Sequence, residues 1–138
     1  MSEPILFLPN LLRSMEPVLN DGVYVFSSVP HDVDVTTLPA IATFRENEGI
    51  TVVIEEETAR RSGLPVLFRS AWITLTVHSD LQAVGLTAAF AAALGEANIS
   101  CNVIAGAFHD HIFVPVESAQ EAMAALRRLQ QGSTKAPG

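Results

Sequence analysis

Residues 72–116 decide the fold, and they read WITLTVHSDLQAVGLTAAFAAALGEANISCNVIAGAFHDHIFVPV. The first part alternates apolar and polar side chains, as a half-buried strand does, and Ser79 with Gln82 forms a capping box ahead of a long apolar helix. The pattern therefore predicts a strand, a helix, a strand, a hairpin and a strand, over residues 72–77, 81–97, 99–105, 106–111 and 112–116. This order is the core of a split β-α-β fold.

The first half of the chain repeats this pattern in a reduced form. Val52-Val53-Ile54 aligns with Ile112-Phe113-Val114 at a spacing of 60 positions, and in both places a strand leads into a helix. The remaining signals predict a helix over 10–16, strands over 23–26, 41–45, 50–54 and 66–68, and a helix over 56–62. In this interpretation a loop over 27–39 replaces the first helix of the first unit, and the second unit has no evident final strand.

We therefore expect an α+β protein made of two tandem ferredoxin-like βαββαβ units. Their sheets should be mainly antiparallel, with the helices on one face. The predicted divisions are residues 1–69 for a first, degenerate unit with an N-terminal helix, 70–131 for the second unit, and 132–138 for a flexible tail.

Composition narrows the class of partner. The net charge is −7, and the eight basic residues form no extended stripe, which argues against binding to nucleic acid or to an anionic membrane surface. No uncharged apolar stretch approaches the ~20 residues that a membrane-spanning helix needs. The first residues lack the basic region of a signal peptide, and the single cysteine, Cys101, cannot form an internal disulfide. These features predict a cytoplasmic protein.

The predicted long helix is apolar on more than one side. Leu86, Phe90, Leu94 and Ala97 share one ridge, which we expect to lie on the sheet. A second face carries only small residues, namely Gly85, Ala88, Ala89, Ala92 and Gly95. Small side chains let another backbone approach closely, so we expect this face to contact a second subunit in a homodimer or higher oligomer.

Polar residues should gather at one end of the second unit. In the split β-α-β topology, the loop after the first strand lies beside the hairpin that joins the other two, which brings together His78, Ser79, Asp80, His109, Asp110 and His111. The start of the long helix adds free N–H groups and partial positive charge, which suit a carboxylate. Asp80 or Asp110 could pair with an ammonium group. This end of the second unit therefore complements both charged groups of an amino acid.

Other chemistries remain open for the same residues. His109 and His111, with either His78 or Asp110 as the third ligand, could form a three-ligand metal site of a small enzyme. Ser79 near His109 and Asp110 could act as a nucleophile, although its role as a helix cap already explains it. The polar side chains also suit a purely structural role at a hairpin. Cys101 is expected to be buried and inert.

The stretches ATFRENEGITVVIEE and ITLTVHSDLQAVGLTAAFAAALGEANISCNVIAGAFHDHIFVPVESAQEAMAALRRL resemble a bacterial family of small ACT-like proteins. The resemblance implies a regulatory, ligand-sensing module without catalytic activity or cofactor, which binds an amino acid or a similar small molecule. It places the ligand at the loop 78–85, assisted by Asn102 and the hairpin. The implied site comprises His78, Ser79, Asp80, Val84, Gly85, Asn102, His109, Asp110 and His111. A ligand-free interaction module that docks through its helix or a sheet edge is the alternative from a different class.

Overall fold

The computed structural model describes residues 8–76 and 85–132. These residues form one sheet with helices packed on one of its faces. The strands are β1 Pro17–Leu19, β2 Tyr24–Val29, β3 Ala42–Arg45, β4 Ile50–Glu55, β5 Phe68–Leu75, β6 Asn102–Ala105 and β7 Asp110–Pro115. The helices are α1 Leu8–Ser14, α2 Glu56–Arg61, α3 Leu86–Glu96 and α4 Ala119–Gly132.

The sheet has the strand order β3-β4-β2-β5-β7-β6, and β1 pairs with β5 beside β2. All of these pairs are antiparallel. The order therefore contains two ferredoxin-like sets, β3-β4-β2-β5 and β6-β7-β5-β1, which overlap at β5. The predicted fold class of paired βαββαβ units is confirmed.

The predicted internal repeat reappears in the strand boundaries. Strands β3 and β6 are offset by 60 positions (42 to 102), and β4 and β7 are offset equally (50 to 110). In both halves, β4 or β7 is followed by a helix that packs on the same side of the sheet. The loop that replaces the first helix of the first unit is also present, and it holds one 3-10 turn at Val35–Thr37.

Strand β5 is continuous where the sequence predicted two strands, over 66–68 and 72–77. It pairs with β7 along one edge, and its other edge pairs first with β2 and then with β1. Two neighbours hold the backbone of residues 69–71 extended, although the local sequence shows no clear alternation there. The predicted boundary between residues 69 and 70 lies within this strand, and the division into two units stays a prediction.

The final strand that the second unit lacks in sequence comes from the N-terminal region. Residues 17–19 pair with residues 75–73 of β5, and α1 packs beside them with Leu11 and Met15 fully buried. Pro17 was expected only to end a helix. It is instead the first residue of a strand, because the free edge of β5 offers hydrogen-bond partners that no local pattern reveals.

Helix α3 confirms one of its two predicted faces. Leu86, Phe90 and Leu94 are buried against the sheet and Ala97 packs beside them, whereas Ala88, Ala92 and Gly95 are exposed. Gly85, which was expected inside the helix, precedes it with a left-handed backbone (φ 102°). The predicted first turn, residues 81–84, lies outside the described residues.

Two strand boundaries in the second unit also differ from the prediction. Strand β6 begins at Asn102 rather than at residue 99, because Asn98 is left-handed (φ 61°) and the Ile99 N–H donates to the Leu94 carbonyl. This hydrogen bond wraps residues 98 and 99 around the end of α3. Strand β7 begins at Asp110 rather than at residue 112.

None of the helices in the described ranges is long and apolar enough to cross a membrane.

We expect Leu11→Ala to destabilise the protein by about 2–5 kcal/mol, because it opens a cavity in the core of the second unit. Val18→Ala in the adjacent β1 is the matched control, since Val18 is 43% exposed, and its effect should stay within about 1 kcal/mol. Urea unfolding measures both free energies. Equal effects of the two substitutions would show that the N-terminal region is not part of this core.

Candidate functional site

One rim of the sheet is formed by the end of β5, the end of β6 and the start of β7. Leu75 and Ala105 are both paired with Asp110, so the three strands reach this rim together. Residues 106–109 join β6 to β7 there. Helix α3 begins at the same rim, because it follows β5 and must return along the sheet before β6 starts at the opposite rim. His78, Ser79, Asp80 and Val84 lie outside the described residues.

The hairpin at the rim requires glycine at residue 106. The Gly106 N–H donates to the His109 carbonyl at 2.9 Å. A Cβ atom at residue 106 would lie 2.8 Å from that carbonyl oxygen and 3.3 Å from Nε2 of His111. Since the first of these contacts is with backbone, any side chain here would force the hairpin to open.

Asp110 is a nearly buried carboxylate on the helix-covered side of the rim. Strand residues alternate between faces, so Asp110 shares the face of Ile112 and Val114, both core residues beneath the helices. The residue is only 9% exposed. Burial raises the pKa of Asp110, while the nearby charges of His111 and His109 act in the opposite direction. A cation placed beside this carboxylate would favour its ionised form.

His111 lies on the opposite, helix-free face. The indole N–H of Trp72 donates to its Nδ1 at 3.1 Å, and the Thr74 hydroxyl lies 3.2 Å from the same nitrogen. Because the indole can only donate, Nδ1 accepts and the neutral ring carries its hydrogen on Nε2. Asn20 donates to Thr74 Oγ1 at 3.0 Å, which leaves the Thr74 hydroxyl hydrogen for His111. Burial lowers the pKa of His111.

The structure divides the predicted site residues between the two faces. The hairpin predicted over 106–111 ends at residue 109, so Asp110 and His111 are strand residues that point to opposite sides. Asn102 is paired with Phe113 and shares the helix-free side with His111. Gly85 precedes α3 on the helix-covered side. The structure therefore does not bring Asp110 and Asn102 together.

His109 occupies the turn between these two groups. Its Nδ1 is buried and has no hydrogen-bond partner among the described residues. A buried nitrogen without a partner carries an energetic cost, which a ligand or a neighbouring chain could remove. His109 is thus the histidine at this rim whose hydrogen bonding is incomplete.

Neither a metal site nor a reactive thiol is evident in this part of the chain. Within residues 8–76 and 85–132, no three His, Cys, Asp or Glu side chains form a group that could hold a metal ion. The third histidine of the predicted set, His78, lies outside these ranges. Cys101 packs against the core, and burial raises its pKa to about 11, so its thiol stays protonated and unreactive near neutral pH.

An aromatic cluster on the helix-free face was not predicted as a functional feature. Trp72 contacts Tyr24 edge-on at 5.2 Å between ring centroids, and it stacks on Phe113 at 6.2 Å. Phe26 contacts Phe113 at 5.3 Å and Phe68 at 5.8 Å. The alternation along each strand indicates that its aromatic residues share one face of the sheet. Whether these residues contact one another depends on which strands become neighbours.

Two family comparisons cover nearly the whole chain. The sequence model of a family described as ACT domain matches residues 4–71, and that of a second family with the same description matches residues 67–128. The two matches overlap at the start of β5. No curated protein matches the sequence.

Several solved structures share the fold of this chain. A protein of unknown function from Vibrio cholerae, called a possible transport protein, is 54% identical, with a TM-score of 0.82 over 90% of this chain and 96% of that one. The regulatory subunit of aspartate kinase from Thermus flavus shares the fold at 8% identity, with a TM-score of 0.64 over 82% and 95% of the two chains. E. coli aspartokinase III, solved with aspartate and ADP, matches at 11% identity and a TM-score of 0.64, over 94% of this chain and 34% of that one.

We expect acid to destabilise the protein through His111. The unfolded chain takes up a proton near the ordinary pKa of 6.5, whereas the folded chain does so only at a lower pH. Between these two values the unfolded state holds more protons, so stability falls as the pH drops below 6.5. Asp110 has the opposite sign. Its raised pKa adds stability below the ordinary value of 3.8, and this contribution is lost as the pH rises through the raised pKa.

His111→Gln should remove this acid sensitivity, because glutamine can accept from Trp72 without titrating. Thermal unfolding at about pH 7.5 and about pH 5.5 compares the two proteins. The drop in Tm should be larger for the natural protein than for the variant. An equal drop in both would assign the acid sensitivity to other groups.

Proposed function

Because the chain belongs to the ACT domain family over almost its whole length, we propose that it is a regulatory protein that binds a free amino acid at the rim beside Asp110. ACT domains are regulatory rather than catalytic, and ligand binding by such a module is the function that the family and fold support. The amino acid and the position of its site are the finer parts of the proposal.

The observation that carries the proposal is the burial of Asp110. Asp110 is only 9% exposed as a residue, and burial raises its pKa, so its carboxylate is costly to ionise. The ammonium group of an amino acid would supply the missing positive charge. This interaction is charge-assisted, and such hydrogen bonds are the strong ones in proteins.

The carboxylate of the amino acid would lie at the start of α3. The first turn of an α-helix has backbone N–H groups without intrahelical partners and carries a partial positive charge. Gly85 has no side chain to block that end, and its left-handed backbone (φ 102°) favours glycine. The ammonium and the carboxylate group of one amino acid would thus both lie beside groups of opposite charge at the rim. The loop 78–84 and His109 complete the proposed site.

We also place the protein in the cytoplasm. The effect of ligand binding would pass through α3, since this helix begins at the proposed site and its small-residue face is exposed. The aspartokinase neighbours share the fold alone, but the aspartate bound in one of them makes aspartate a sensible member of any ligand panel.

We expect one or more of the twenty amino acids to raise the Tm of the protein, by an amount that corresponds to about 2.7 kcal/mol at a hundred times the Kd. Asp110→Asn should abolish the rise, because the amide cannot pair with an ammonium group. Differential scanning fluorimetry measures the shifts, and calorimetric titration then gives the Kd.

The matched control is His111→Gln, which changes the next residue of β7 on the opposite face and should leave the Kd unchanged. If no amino acid shifts the Tm, a ligand-free interaction module becomes the better assignment. If Asp110→Asn binds as tightly as the natural protein, an amino acid binds elsewhere.

We also propose that the chain forms a homodimer in which the small residues of α3 contact a second copy. Ala88, Ala92 and Gly95 are exposed, and a Cβ at residue 95 would meet no atom within 4 Å. We expect a dimer in sedimentation at micromolar concentration, and a monomer after Ala92→Glu places charge in the contact. A monomer in both cases, or a dimer that Ala92→Glu leaves intact, would contradict this arrangement.

A further inference from the structure

The helix-free face of the sheet is concave. Residues of β3 and β6, which stand at opposite ends of the strand order, line the same two spaces. The sheet must therefore curl until its two edges approach each other, as twisted antiparallel sheets do. The larger space has a volume of about 300 Å³ and the smaller about 80 Å³. Ala42 and Ile104 line both, so the two spaces adjoin.

The larger space, here called the sheet hollow, has an apolar floor and one aromatic wall. Phe26, Val53 and Ile104 are partly or fully buried beneath it, and Val53 is only 2% exposed although none of the helices within residues 8–76 and 85–132 covers this face. Phe44 stands at its edge with 71% of its surface exposed. A volume of this size with apolar walls and few polar groups is typical of a small-molecule site.

One carboxylate supplies the charge of the hollow. Glu46 lines it, and the Thr51 hydroxyl, which also lines it, donates to Glu46 Oε1. Among the described residues that line either space, Glu46 is the only Asp, Glu, Lys or Arg, and burial lowers the pKa of His111. Arg45, the nearest arginine in sequence, is paired with the buried Ile50 and so shares the other face. The hollow therefore favours a cation over an anion.

We propose that the sheet hollow is a second ligand site, which takes a small aromatic amine. The ring of the ligand lies against Phe26, Val53 and Ile104. It contacts the aromatic ring of Phe26 and the apolar side chains of the other two residues. The ammonium group pairs with Glu46, and Phe44 covers the ligand from the solvent side. This site is separated from the rim by the sheet, so it does not depend on amino-acid binding beside Asp110.

Trp72 provides a local reporter for this site. It is the only tryptophan of the chain, and it lines the smaller space that adjoins the hollow. Its intrinsic fluorescence is thus expected to respond to a ligand in the hollow. Phenethylamine is the probe, and phenylpropionate, which has a similar shape and the opposite charge, is the comparison.

Titration with phenethylamine should give a saturable change in tryptophan fluorescence, and phenylpropionate should bind at least about threefold more weakly. Glu46→Gln, which keeps an acceptor for Thr51, should raise the Kd for phenethylamine about three- to fivefold, as expected for an exposed ion pair. Phe44→Ala should raise it about two- to tenfold. Glu121→Gln, which removes an exposed carboxylate of α4 on the helix-covered side of the sheet, should leave it unchanged.

Three results would overturn the proposal. They are the absence of a saturable fluorescence change with phenethylamine, equal binding of the two probes, and an unaltered Kd for phenethylamine in Glu46→Gln. A dimer that Phe44→Ala dissociates, together with no amine binding, would assign the hollow to a second copy of the chain. Both substituted residues are exposed, and circular dichroism confirms that each variant is folded.

Discussion

The two-edged pairing of β5 is the constraint on which the rest of the structure depends. One edge of this eight-residue strand pairs with β7, and the other pairs first with β2 and then with β1. Asn20 bridges the gap between β1 and β2 with a backbone hydrogen bond of 2.9 Å to the Trp72 carbonyl. Each half of the sheet includes β5 as one of its four strands, so both edges of β5 are paired only when both halves are present.

The register of β5 against β7 separates the polar chemistry into two regions. Leu75 opposite Asp110 sends the carboxylate to the helix-covered side, and Thr74 opposite His111 sends the imidazole to the helix-free side. A shift of one residue would exchange these faces. Burial favours the neutral form of both groups, which raises one pKa and lowers the other. Two adjacent residues therefore belong to different environments with different proton affinities.

The two proposed sites use the two faces of one sheet in different ways. At the rim, backbone and carboxylate groups of opposite charge suit a molecule that carries both an ammonium and a carboxylate group. In the hollow, the curl of the sheet encloses apolar surface that none of the described helices covers, and Glu46 is the carboxylate proposed to pair with a positive charge.

The periodicity of apolar residues in the sequence was sufficient to predict most of the strands and helices. The spacing of 60 positions located the strand pairs of both halves, and the ridge of Leu86, Phe90 and Leu94 identified the buried side of α3. These features are local, because alternation and helical spacing follow from which side of an element is buried. The resemblance to the ACT family rested on the same stretches. The sequence could also place the β6–β7 hairpin beside the end of β5, since topology alone requires it.

The features that depend on residues distant in sequence became evident only from the folded chain. The strand at residues 17–19 exists because β5 leaves an edge open about fifty residues away in sequence, and no local pattern signals that edge. The hydrogen bonds of Trp72 and Thr74 to His111, and the opposite orientations of Asp110 and His111, follow from the pairing register. The sheet hollow requires the curl of the whole sheet, which brings Ala42 and Ile104 to the same space. Such long-range contacts are set by backbone hydrogen bonding between strands and by the twist of the sheet. The order of residue types along the chain does not specify either of them.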